Sequence, residues 1–176
     1  PSDVYMHFVL KTDLPEDAWI QATEIRPGNP RVVHHVIAYV DTSGVSENLD
    51  AAAPGVGYPG EGTWPGFIAT GEMGGWAPGN LPKALPDGVG RRLAKGARVV
   101  LQVHYNKCGS VQKDRTRIGL HFSKTPVKKQ LRWAEMVNGW FEIPPGNAAY
   151  EAKAWWKTSK DVTVLIVTPH MHLLGK

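Results

Sequence analysis

The chain is poor in cysteine: Cys108 is the only one among 176 residues. No intrachain disulfide can form, so the fold must rest on packing rather than on covalent staples. No apolar run reaches the roughly 18 residues that a membrane-spanning helix requires. Basic runs interleaved with aromatics are also missing. Arg91-Arg92 and Lys128-Lys129 are isolated pairs in a chain of net charge +4, so nucleic acid is not an expected partner. Segments with a helical period are almost absent, and no internal repeat is evident. The opening Pro1-Ser2-Asp3 does not read as a signal peptide.

What the chain does have is turns and short apolar runs. Glycine (19) and proline (14) are abundant, and hydrophobic residues make up 42% against 20% charged. That balance indicates a globular, turn-rich, all-β protein. Strands are expected from Val4 to Lys11, Ala18 to Ile25, Val32 to Val40, Arg98 to Tyr105 and Thr116 to Phe122. In the last, Ile118, Leu120 and Phe122 are expected inward. Further strand-like runs are Leu131 to Ile143, the alternation from Tyr150 to Lys157, and Val162 to Val167. The segment from Thr42 to Gly90 is long, irregular and rich in Gly, Pro, Ala and Trp, a pattern often tied to function. The pattern implies an antiparallel β-sandwich over residues 1–130. Residues 131–176 then read as the first strands of a second, incomplete sandwich, with Pro144-Pro145-Gly146 as a turn near the boundary.

Five of the seven histidines fall in three clusters: His34-His35, His104 and His170-Met171-His172. Neutral imidazole is the commonest protein ligand for transition metals. His104 lies on the polar face of its strand beside Gln102, opposite Val99, Leu101 and Val103. A ligand role and a structural one are evenly balanced there. Adjacent His34 and His35 would point to opposite faces of a regular strand, so binding one ion with both requires a bulge. His170 and His172, spaced i, i+2, share a strand face, while Met171 points away. His7 and His121 read as structural or surface residues, and Cys108 as a free thiol rather than a ligand.

Val33-His34-His35-Val36, Leu101-Gln102-Val103-His104-Tyr105 and His170-Met171-His172-Leu173-Leu174-Gly175-Lys176 resemble, in that order, ligand segments of a known family. It is that of the copper type II, ascorbate-dependent monooxygenases, which includes peptidylglycine α-hydroxylating monooxygenase and dopamine β-monooxygenase. Leu85-Pro86-Asp87-Gly88-Val89-Gly90 and Ile143-Pro144-Pro145-Gly146 also match its pattern. The resemblance covers residues 32–176. It implies two jelly-roll-like sandwiches, each holding one copper. His34, His35 and His104 match the ligands of the electron-transfer copper; Gln102, on the same strand face as His104, is expected to support it from behind. His170 and His172 match two ligands of the oxygen-activating copper. An ascorbate-type reductant, molecular oxygen and a small-molecule or peptide substrate are the implied partners. In the family a methionine far along the second domain completes the second copper. Met6, Met73 and Met136 lie in no matching segment. The resemblance therefore leaves three options for this chain: a fragment, a site completed by a partner chain, or no monooxygenase activity. The family's eukaryotic enzymes are disulfide-rich and this chain cannot be, so the resemblance implies a bacterial relative working outside the cytoplasm, in the periplasm or secreted.

Three other readings stay open on the residues alone. One is a non-catalytic copper-binding or electron-transfer module. Another is a zinc hydrolase built on three histidines, which needs a general base; Asp41 is the only carboxylate close to a cluster. The last is a binding sandwich that uses the segment from Thr42 to Gly90 as its contact surface.

Overall fold

The computed structural model describes residues 3–62 and 64–169. The chain divides into two units, Pro1–Trp133 and Ala134–Lys176. In the first, alternation of apolar side chains produces strands. These are β1 (Val4–Lys11), β2 (Ala18–Arg26), β3 (Val33–Asp41), β4 (Tyr58–Gly60), β5 (Gly71–Trp76), β6 (Val89–Leu93), β7 (Arg98–Tyr105), β8 (Arg117–Phe122) and β9 (Lys129–Gln130). One short helix, α1 (Val45–Ala52), interrupts the series.

The strands form two sheets, ordered β4-β1-β7-β3-β5 and β8-β2-β6-β9. All pairings are antiparallel except that of β6 with β9. The architecture is the expected all-β sandwich. Its core comes from the inward faces of both sheets. Val99, Leu101 and Val103 of β7 and Val36, Ala38 and Val40 of β3 meet Ile20 and Ile25 of β2 and Leu93 of β6. Removing these side chains from water is the main stabilising term, at about 25 cal/mol per Å².

The central strand β7 is buried on both faces. Val100, Gln102 and His104 point away from the core, yet Val100 and Gln102 are fully buried. They are covered from outside the sandwich. Tyr58 and Phe67 pack there with Tyr39 and Val100, joined by Leu49 of α1. The segment from Thr42 to Gly90 is therefore less irregular than its composition implies. It contains α1, β4, β5 and the start of β6. Strand β5 was hidden by its glycines, which carry no apolar alternation; it is set by pairing with β3. The carboxylate of Asp41, at the end of β3, anchors the start of α1. It accepts hydrogen bonds from Ser43 N (2.7 Å), Ser43 Oγ (2.6 Å) and Ser46 N (2.8 Å).

Two sequence expectations are corrected. Phe122 is half-exposed rather than inward, while Ile118 and Leu120 do pack on the core. The runs Leu131 to Ile143, Tyr150 to Lys157 and Val162 to Val167 form no strand among the described residues. A strand is stabilised by ladder partners and a covered face. Beyond Leu131, whose N–H donates to the Gly90 carbonyl, these runs show neither among the described residues: Trp140, Trp155 and Val164 are 97%, 86% and 70% exposed.

Candidate metal centre

Strand β3 opens with a bulge. Val33 pairs with Tyr105 of β7 and His35 pairs with His104, so His34 is the extra residue. The bulge removes the alternation that would send adjacent imidazoles to opposite faces. His34 and His35 thus reach the same place, as the ligand reading of that pair required. His104 comes from β7, the neighbouring strand. On its other side β1 sets Tyr5 directly opposite His104. The Tyr5 ring stacks on the His104 ring at 4.2 Å and 16°.

The three imidazoles converge. His34 Nδ1 lies 3.1 Å from His35 Nδ1, and His104 Nδ1 lies 3.4 Å from the same atom. One ligand atom from each residue falls within 4.8 Å of the others. Their rings meet edge to face, at 60° to 74°, rather than stacking. A metal–imidazole bond of about 2.0–2.1 Å places tetrahedral ligand nitrogens about 3.3–3.4 Å apart. The two spacings from His35 Nδ1 lie close to that edge, so the three residues could hold a metal ion. A cation accepts three converging lone pairs at once, which a single shared proton cannot do. An all-imidazole set suits a transition metal rather than magnesium or calcium.

Burial is graded across the cluster. His104 is buried, His35 half-buried and His34 exposed. The site therefore has a packed floor and one flank open to water. A carboxylate stands behind the floor: Asp3 Oδ2 lies 3.0 Å from His104 Nε2. Sequence reasoning missed both Asp3 and Tyr5. Their i, i+2 spacing with His7 was visible, but the pairing of β1 beside His104 was not.

The remaining expected site residues fall elsewhere. Gln102 does share the face of His104, but its amide bonds His7, with Gln102 Nε2 2.8 Å from His7 Nε2. The expected support for His104 is thus corrected: the amide is taken up by the histidine on the adjacent strand. His7 is structural, fully buried and stacked on Tyr58 at 4.8 Å. His121 is exposed. Cys108 is an exposed free thiol, and hydrogen bonds with Ser110 hold its pKa below the ordinary value. Met73 is a core residue and Met136 is exposed. Asp41 is 1% exposed, and its carboxylate is bonded to Ser43 and Ser46, at the far end of β3 from the imidazoles. His170 and His172 lie outside the described residues.

No protein-family model matches the sequence, and no curated protein matches it.

Proposed function

We propose that His34, His35 and His104 hold a copper ion that handles electrons in a monooxygenase of the ascorbate-dependent copper type, working outside the cytoplasm. The observation that carries this reading is the convergence of three imidazoles from two neighbouring strands, with His34 Nδ1 and His104 Nδ1 at 3.1 and 3.4 Å from His35 Nδ1. Copper supplies a one-electron couple, and imidazole donors suit it. His104 fixes the ion to the sheet, and exposed His34 leaves one flank open to a small reductant such as ascorbate. In this reading His170 and His172 contribute to a second, oxygen-activating copper, whose substrate is a small molecule or peptide. The zinc-hydrolase reading lacks a base: Asp41 is occupied elsewhere, and Asp3 contacts the His104 nitrogen turned away from the cluster.

Copper titration of the purified chain tests the site. One tight equivalent is expected to disappear in the variant His34→Ala/His35→Ala/His104→Ala. Equal binding by both proteins overturns the assignment. A second reading is an electron-transfer module without oxygen insertion. It rests on the same three histidines and needs no second metal. Ascorbate-driven oxygen uptake, corrected for free copper, separates the two.

A further inference from the structure

We infer that Asp3 is a positioning residue for the metal centre: it selects Nδ1 of His104 as the ligand atom and biases the site toward the more highly charged metal. The inference rests on the copper reading above. A neutral imidazole carries one proton, and the partner of one nitrogen decides which nitrogen keeps it. His104 Nδ1 faces His35 Nδ1 at 3.4 Å, while Nε2 faces the Asp3 carboxylate at 3.0 Å. A proton on Nε2 lies beside a negative oxygen, though not along an aligned hydrogen bond. A proton on Nδ1 instead points into the other imidazoles and leaves the Nε2 lone pair against the carboxylate. The first tautomer therefore prevails, and its Nδ1 lone pair is free for a metal.

Burial sharpens the effect. The His104 side chain is 7% exposed, and its Nε2 makes no hydrogen bond among the described residues. The Asp3 contact is close but off the N–H direction, a charge–dipole contact with the neutral ring rather than an aligned hydrogen bond. Losing it leaves a buried N–H with no polar neighbour, a costly state. Asp3 itself is 48% exposed and remains hydrated. Tyr5, two residues on, stacks on the same imidazole and opposes rotation of the ring. The residue just before β1 thus supplies the carboxylate, and β1 itself the clamp. Because the carboxylate attracts a dication more than a monocation, Asp3 favours Cu(II) over Cu(I).

The test compares the wild-type chain with Asp3→Asn and Asp3→Glu. Imidazole ¹⁵N shifts of the metal-free proteins report the tautomer. His104 is expected as the Nε2–H form in the wild type and in Asp3→Glu, and as a mixture in Asp3→Asn. Chelator competition is expected to show Cu(II) affinity falling about 10- to 100-fold in Asp3→Asn, the range for losing a group behind a ligand. Cu(I) affinity is expected to fall less, and Asp3→Glu to restore most of the loss. An unchanged tautomer together with unchanged Cu(II) affinity in Asp3→Asn overturns the inference. A wild type that binds no copper defeats the copper reading instead, and the tautomer measurement still decides the role of Asp3.

Discussion

His7 and His104 stand one rung apart on the outer face of the larger sheet. Strands β1 and β7 pair so that His7 faces Gln102 and Tyr5 faces His104. Both imidazoles are buried, and both stack on a tyrosine, at 4.8 Å for His7 and 4.2 Å for His104. They differ in what their nitrogens meet. His7 Nε2 meets an amide, and Nδ1 points to the backbone of Tyr58 without an aligned hydrogen bond. Its Cε1 would lie 2.2 Å from a Cβ built on Gly60, so nothing fits beside it. His104 meets two further imidazoles, a carboxylate and a flank open to water. Burial and ring stacking are common to a structural histidine and a candidate ligand. The neighbours of the ring nitrogens separate the two.

The sharpest way to break this contrast is to delete each ring in turn. His104→Ala is expected to lower copper affinity by more than the ~100-fold that a change behind a ligand can cost. His7→Ala is expected to keep the wild-type copper affinity and to lose about 2–5 kcal/mol of stability, the range for emptying a buried large side chain. Calorimetric copper binding beside chemical denaturation reads both. If His7→Ala loses copper while still folded, the two sites are not separable. Next in size is Gly60→Ala, whose new methyl must displace the His7 ring. Overpacking of that kind costs about 1–3 kcal/mol. Adding His7→Ala to Gly60→Ala is expected to return part of the loss, and no recovery places the strain elsewhere. Gln102→Leu is a smaller change. It leaves His7 Nε2 unpaired and is expected to cost about 1–3 kcal/mol. Replacing both partners with leucine is expected to recover stability, because neither then buries an unmet polar group.

Much of the contrast was legible before the fold was known, and the missing part has a physical cause. Strands β1 and β7 could be bounded from alternation alone, because each carries one continuous apolar row, buried in β7 and partly buried in β1. The bulge at His34 could be stated as a requirement of the ligand reading, since period-two geometry forbids adjacent side chains a common face. Strand order was not legible. Nothing local says that β7 lies between β1 and β3, and that order brings Tyr5 and Asp3 to His104 and His7 to Gln102. For the same reason Gln102 was assigned to the histidine on its own strand rather than the one opposite. The helix α1 was hidden by its neighbours. Gly44 gives it no side-chain cap, and Asp41 serves it from outside the helix.

The smallest expected effect separates the two histidine sites by pH. Burial pushes the pKa of His7 below its ordinary value of 6.5, with a weaker opposing contribution from the Tyr58 backbone. In the unfolded chain His7 returns to that ordinary value. Between the folded and unfolded values the unfolded chain therefore binds more protons, and stability rises with pH. The contribution is fully present above pH 6.5 and is lost as pH falls from there toward the lowered folded value. Asp41 and Asp114 also have lowered values. In both, burial raises the pKa but hydrogen bonds outweigh it, so their losses begin only in the carboxylate range. Denaturation of the metal-free wild type at pH values above and below 6.5 is expected to show a larger loss than the same interval in His7→Gln. The three cluster histidines are present in both proteins and cancel in the difference. Equal slopes would mean that His7 accepts a proton in the folded state, and its site would then be no more closed than that of His104.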